Sequence, residues 1–280
     1  MAQAGRRWPR PRPRQAALYL LLTVAVLLAL IPLIWALFGS FKPYKELMES
    51  RSLIPQHGTL AAYQYVMGLS GIWLSLRNTV VVTFSVTFVS VLTSTMAGYV
   101  FAKYRFKGKE LLFLALLTTL MVPFAVVLVP LYITISHAGL SDNLAGVIVT
   151  GFYSTFGIFM MRQFMLSLPM EMLEAARIDG ASEWRLFFQI VIPLSASPAA
   201  ALAVFIFLGT WNDYLWPFVV LTSPSNQTVP LFLSGLQGLF ITRYDYLLAA
   251  GALTAIPLMI AYLFGSKYMI RGIAMTGLKF

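Results

Sequence analysis

The 280-residue chain has no cysteine, two histidines and only ten acidic residues. Without cysteine there is neither a disulfide framework nor a thiolate metal site, and the redox compartment leaves no mark on the sequence. His57 and His137 lie far apart in polar connections, where a surface role suits them better than metal ligation. A G-x-x-x-x-G-K-[ST] phosphate loop is also missing, since Lys107-Gly108-Lys109-Glu110 is only a fragment of basic loop. No catalytic residue, metal or other cofactor is therefore expected in this chain, and any ATP that drives it must be bound by another protein. A membrane-embedded enzyme would need clustered His, Asp or Glu, and the sequence offers no such cluster with an obvious base or metal partner.

Charge is scarce too, at 11% of residues against 59% hydrophobic. No water-exposed surface of normal polarity accommodates that balance, which is that of an integral membrane protein. An apolar run of about 18 residues or more marks a bilayer-spanning helix. Six segments qualify: Ala16 to Phe38, Thr79 to Ala102, Leu111 to Ile133, Leu144 to Met161, Ala199 to Leu221 and Leu247 to Phe264. The expected fold is an all-α membrane protein of six transmembrane helices, with residues 1–15 a basic tail and 16–280 one transmembrane domain.

The twenty Lys and Arg residues fall in the gaps between these runs, fifteen on the side of the chain ends and five (Lys42, Lys45, Arg51, Arg77, Arg243) on the other. Basic loops resist translocation, so both termini are expected in the cytoplasm. The same placement explains the net charge of +10 without nucleic acid. The Pro and Arg alternation before Ala16 reads as a disordered tail, and the run after it as an uncleaved first span, because it exceeds the length of a signal-peptide core.

Within the spans, Ser90, Ser94, Gly98 and Ala102 recur every four residues, a small-residue stripe that lets another helix approach closely. Pro123 and Pro130 lie seven apart on one face of the third span, where each removes a backbone hydrogen bond; a static kink and a gate both fit. Asn212 and Asp213 sit in GTWNDYLWP near the outer end of the fifth span. They are candidate pathway residues: a group there faces a water-filled cavity, or it reaches headgroup water within a belt of Trp211, Tyr214 and Trp216. Asp213 is also the sole ionisable candidate for a secondary transporter driven by an ion gradient, which would want such groups near the midplane.

The most unusual stretch is EAARIDGASEWRLFFQIVIPL, Glu174 to Leu194, an acidic island in a basic protein. Pro169 can start a helix, with Glu171 in its first turn, and Gly180 stops it. Ser182 is an N-cap for a second helix, whose Trp184, Phe187, Phe188 and Val191 fall at i, i+3, i+4 and i+7. Two short helices joined at a glycine bend cannot span the bilayer and must lie at the cytoplasmic surface. The aromatic stripe is expected to pack on the spans, leaving Glu174, Ala175, Ala176 and the corner Gly180 to another protein. Acids exceed bases here, which favours a protein partner over anionic lipid.

Glu174, Ala175, Ala176, Gly180, Ile190 and Pro193 resemble the EAA motif of permease subunits in bacterial ABC importers. SFKPYKEL, NTVVV, FAKYRFKGKE, WNDYLWP and TVPLFLSGLQG are similar to segments of the carbohydrate-uptake class, specifically its maltose-type second permease. That resemblance implies an inner-membrane location, an EAA loop over 167–195, and a coupling helix docking on one of two ATPase subunits through Glu174, Ala175, Ala176, Asp179, Gly180, Ala181 and Ser182. It implies a second permease sharing a sugar pathway and an extracytoplasmic solute-binding protein met by Val229 to Phe240, in particular Leu233, Ser234, Gly235, Leu236, Gln237 and Gly238. The family tail that contacts the ATPase is matched only by Gly272, Gly277 and Lys279. The coupling motif says nothing of cargo, so a non-sugar solute such as a glycerophosphate-type compound stays open.

Overall fold

The computed structural model describes residues 13–237 and 242–277, with side chains described for 15–237 and 242–266. Most of the basic tail, Gly238 and Lys279 lie outside the described residues, and the side chains of the C-terminal tail are not described. Every regular element described is helical. Helix α1 (Pro13–Gly39) is followed by the short α2 (Tyr44–Glu49) and α3 (Ala61–Gly68), then by the long α4 (Ser70–Lys103). Next come α5 (Lys109–Thr118) with α6 (Phe124–His137), α7 (Leu144–Thr150) with α8 (Thr155–Leu166), and α9 (Met170–Ile178). After α10 (Glu183–Leu186) a π turn, Phe187–Val191, leads to α11 (Ile192–Leu194) and α12 (Ala196–Trp211). The chain closes with α13 (Leu215–Val220), α14 (Val229–Gly235) and α15 (Tyr244–Gly277).

Among the described residues, four helices are long and apolar enough to cross a membrane by themselves: Gln15–Gly39, Ser70–Lys103, Leu144–Leu166 and Tyr244–Ser266. The count reaches six if two bent pairs each form one span. Lys109–Met121 meets Phe124–His137 at 103°, and Glu183–Leu194 meets Ala196–Trp211 at 76°. The third expected span is thus broken rather than kinked. Pro123, extended at φ −60° and ψ 136°, sits at the start of α6 and donates no hydrogen bond that could continue α5. Pro130, by contrast, is accommodated inside α6.

The fifth expected span, Ala199 to Leu221, is also interrupted, because α12 ends at Trp211 and α13 begins at Leu215. The polar pair causes the break: Asn212 Nδ2 donates to Leu208 O at 2.8 Å, and Asp213 Oδ1 accepts from Trp216 N at 3.5 Å. These side chains compete with the helix ladder for its own end groups.

Helix α4 is the central post. Its small residues Ser90, Ser94 and Gly98 are buried against α8, where a Cβ on Gly98 would lie 2.7 Å from Met161 Cβ and 2.8 Å from the Arg162 amide nitrogen. Only hydrogen fits there, so the small-residue stripe is a close-packed seam. Near one end of α4, Tyr99, Met161, Met165, Leu173, Phe187 and Val191 share a core cluster. Toward the other, Val82, Val86, Val147, Trp216 and Val220 share a second. Helix α1 stands apart: Leu20, Leu21 and Leu28 are 67%, 66% and 62% exposed, an apolar face suited to lipid or another subunit.

Candidate functional site

The acidic island folds as α9, a tight corner and α10. Pro169 flanks the start of α9, whose first turn holds Glu171. Gly180 adopts φ +82°, a left-handed conformation that L side chains resist. Around it the Ala181 amide donates to Ala176 O and the Gly180 amide to Arg177 O, both at 3.0 Å. That pair of bonds is the Schellman arrangement, which satisfies carbonyls a helix end would leave open. Ser182 then caps α10, its hydroxyl accepting from Arg185 N at 3.3 Å.

The corner is clasped from both sides. Arg177 donates to the two Glu183 oxygens at 2.8 and 3.2 Å, bridging the end of α9 and the start of α10. Tyr104, just past α4, donates its hydroxyl to Glu183 Oε2 in a short hydrogen bond. The Arg177 guanidinium also lies 5.9 Å from the Tyr104 ring centroid. Hydrogen bonds from Arg177 and then Tyr104 hold the Glu183 carboxyl below its usual range. The converse shift raises Tyr104, first by burial and then by its bond to Glu183. The corner is anchored further where Lys103 Nζ donates to Leu168 O at 2.6 Å and Leu173 is buried in the cluster around Tyr99.

What this anchoring leaves outside is the Glu-Ala-Ala side. Glu174, Ala175, Asp179, Gly180 and Ser182 are exposed, Ala176 and Ala181 are half-buried, and Ile178 reaches 86% exposure at the apex. A large apolar side chain so presented, beside carboxylates and nearly bare backbone, is a contact awaiting a partner.

The aromatic stripe differs from expectation. Phe187 and Val191 are buried, but Trp184 and Phe188 are 64% and 51% exposed and stack on each other at 6.1 Å. The face turned inward is Leu186, Phe187, Ile190 and Val191, one helical face rotated from the expected stripe, with a π turn over Phe187–Val191.

The remaining expected site residues lie elsewhere. Asn212 is exposed and Asp213 half-buried at the α12–α13 break. Neither lines the apolar groove of about 880 Å³ between α4, α12 and α15, which ends beside Trp211. Of the segment expected to meet the solute-binding protein, Val229–Gly235 forms α14, which holds Leu233, Ser234 and Gly235, with Leu236 as its C-cap. Leu233 and Leu236 pack against the cluster of Ala62, Val66 and Ile72, whereas Gly235 and Gln237 are exposed. This helix is set on a firm base, as Asn78 Nδ2 donates to Ser225 O and Gln227 O at 2.8 and 3.0 Å, and Thr79 Oγ1 accepts from Val229 N at 2.8 Å. Asp142, at φ +51°, accepts from the amides of Thr222 and Ser223 at 2.9 Å each and from the Ser223 hydroxyl. These bonds push its carboxyl down to about 2.

Residues 90–274 match the family described as binding-protein-dependent transport system inner membrane component. The chain belongs to that family. This permease is 35% identical over 256 residues to the arabinooligosaccharides transport system permease protein AraQ of Halalkalibacterium halodurans, covering 90% of this chain and 92% of that one. It is 34% identical over 203 residues to the sn-glycerol-3-phosphate transport system permease protein UgpE of Salmonella typhimurium, 72% of each. Its fold matches the crystal structure of a bacterial ABC transporter involved in the import of the acidic polysaccharide alginate, with TM-score 0.83 and 23% identity over 93% of this chain and 99% of that one. The permease is accordingly a multi-pass component of the bacterial inner membrane that serves a binding-protein-dependent importer, a class of transporter subunit that is not itself an enzyme.

Sequence reasoning missed the clasp of the permease. Tyr104 and Glu183 are 79 residues apart, and no periodicity signals a contact at that range. The basic turn FAKYRFKGKE stood out only by resemblance, although a Tyr set among cations beside a span end is the residue type that reaches a buried or shared carboxylate.

Proposed function

We propose that the permease passes a sugar or oligosaccharide through a pathway shared with a second permease subunit, driven by two separate ATPase subunits that dock on the Glu174–Ser182 corner. The observation that carries this reading is the corner itself: an exposed Glu-Ala-Ala and Ile178 surface on a bend fixed by Gly180 and tied to α4 through Tyr104 and Glu183. A rigid lever attached to a spanning helix is what a coupling element needs, since a partner's motion is transmitted only through differential contacts in two states. ATP binding would close the ATPase pair, move the corner and α4 together, and open the pathway outward. Residues 16–280 then form the transmembrane domain, residues 1–15 a cytoplasmic tail, and residues 167–195 a cytoplasmic EAA loop with its coupling helix between the fourth and fifth of six spans. The distribution of Lys and Arg supports both termini on that side.

On the opposite face, the α14 region with Gly235 and Gln237 is the surface offered to the solute-binding protein. The polar break between α12 and α13, where Asn212 is exposed and Asp213 half-buried, supports reading these two residues as pathway residues near the outer end of the fifth span. For cargo, similarity to AraQ extends over 90% of the chain against 72% for UgpE, which favours an oligosaccharide. The near-equal identity of 34% to UgpE keeps a glycerophosphate as the second reading.

The test is copurification of the ATPase with the permease bearing Glu174→Arg. Charge reversal is expected to lose the ATPase while membrane insertion and pairing with the second permease persist. Undiminished ATPase recovery would remove the corner from the docking surface.

A further inference from the structure

The turn between α4 and α5 carries cations on alternate residues: Lys103, Arg105, Lys107 and Lys109. The fold engages the first and last, with Lys103 Nζ on Leu168 O at 2.6 Å and Lys109 Nζ on Tyr104 O at 3.1 Å. Glu110, the one carboxylate of the turn, is already taken by Arg162, which donates to its two oxygens at 3.1 and 3.0 Å. Arg105 and Lys107 are exposed and form no ion pair among the described residues.

Arg105 lines a shallow depression, and Lys107 belongs to the same turn. A pocket of about 380 Å³ is lined by Arg105, Phe106, Gly108, Lys109, Glu110 and Leu111. Gly108, at φ +80°, turns the chain there, and no side chain caps the start of α5; the Lys109 amide donates to Phe106 O at 3.4 Å, and the amides that follow it add positive potential. Directly beyond, Leu111, Leu112 and Leu114 are 72%, 56% and 59% exposed, a surface that only hydrocarbon or another apolar body can cover. Exposed cations, a helix start without a side-chain cap and a shallow pocket therefore meet at the level where apolar surface begins, which is where a phospholipid phosphate lies.

From this we infer that the Arg105–Leu111 turn binds the phosphate of an anionic phospholipid in the leaflet on the side of the coupling corner, the acyl chains lying along the leucines of α5. The inference rests on the reading of α5 and α6 as a membrane span. It also gives the lipid a position of consequence: Tyr104, the residue before Arg105, bonds to Glu183 at the corner, and Lys109 holds the Tyr104 carbonyl. A headgroup that orders the turn orders the attachment of the lever.

The permease, purified within its importer complex and placed in phosphatidylcholine nanodiscs with added spin-labelled phosphatidylglycerol, provides the test. Each juxtamembrane cation contributes about fivefold to association with anionic lipid at low ionic strength, so Arg105→Gln with Lys107→Gln is expected to weaken association roughly thirtyfold. Molar salt is expected to act on the wild type in the same direction. The control Lys45→Gln, on the other face, is expected to change nothing. Soluble sn-glycerol 3-phosphate at millimolar concentration is expected not to compete; equal competition would identify a free phosphate-ester site and overturn the lipid assignment. Equal association of wild type and double variant would overturn it as well. If the neutral pair fails to assemble, Lys107→Gln alone must still lose about fivefold and Lys107→Arg must lose nothing. Lipid association is read without ATP or cargo, so its failure would leave the transport reading intact, and failure of Glu174→Arg to release the ATPase would leave the lipid result intact.

Discussion

Replacing Gly180 separates backbone geometry from partner contact. At φ +82° an added Cβ meets no atom within 4 Å in the chain, so any cost in the isolated permease comes from the backbone alone. A left-handed L-residue costs roughly 1–2 kcal/mol, with a β-branched residue such as Val at the upper end and Asn near the lower. Opposing that strain are the two Schellman bonds at 3.0 Å, together worth about 1–3 kcal/mol. The partly exposed Arg177–Glu183 pair adds about 0.2–1 kcal/mol more. The terms are of similar size, so Gly180→Val is expected to leave the corner a mixture of bent and frayed forms without unfolding the spans. Gly180→Asn should keep the bend. Amide hydrogen exchange over 176–183 measures this directly: protection should fall for Val and persist for Asn. Uptake of cargo and cargo-stimulated ATP hydrolysis in vesicles then divide the readings. If conformation alone matters, Asn retains coupled transport and Val loses it; if the bare glycine surface is also a contact, both lose it. Native protection and native uptake for Gly180→Val would refute the account of the corner.

Gly98→Val would drive a side chain into Met161 and the Arg162 backbone, at 2.7 and 2.8 Å. Overpacking of this kind costs about 1–3 kcal/mol or more, and a lowered melting temperature of the detergent-solubilised permease, with Gly98→Ala less affected, is the expected result. At the other face, the Asp142 carboxyl is depressed to about 2 by its bonds to Ser223, Thr222 and Asn226. A depressed carboxylate contributes stability that is complete above its unfolded value and is lost as pH falls through the folded one. Protection of the Thr222 and Ser223 amides should therefore persist at pH 4 and decline toward pH 2, whereas in Asp142→Asn it should be low throughout; a decline already complete at pH 4 would contradict the assignment.

The helical class, the apolar runs and the bend at Gly180 were all legible in the sequence, because each depends on residues within a few positions of one another. Ser182 as a cap and Pro169 at a helix start are local matters of this kind. What escaped was decided at long range or by competition. Trp184 and Phe188 obey the helical repeat, yet burial of Leu186, Phe187 and Val191, with Phe187 and Val191 in the cluster around Tyr99, turns the other face of this stretch inward. The Val122–Pro123 break was foreseen as a kink, but its 103° magnitude depends on how α6 packs after leaving α5. Around the proposed site, Glu174 and Ala175 could be named from composition, whereas the Tyr104–Glu183–Arg177 clasp joins segments that no local pattern connects.

The π turn has a consequence for how this segment tolerates change. A turn of i to i+5 bonding holds one residue more than an α-helix of equal rise, so side chains before it stand about 100° out of phase with those after it. The connector therefore works as a calibrated screw: the number of residues between Gly180 and Pro193, as much as their identity, sets the azimuth of the Glu-Ala-Ala side relative to α12. Substitutions along this stretch trim the thread, while loss or gain of a single residue would re-index it.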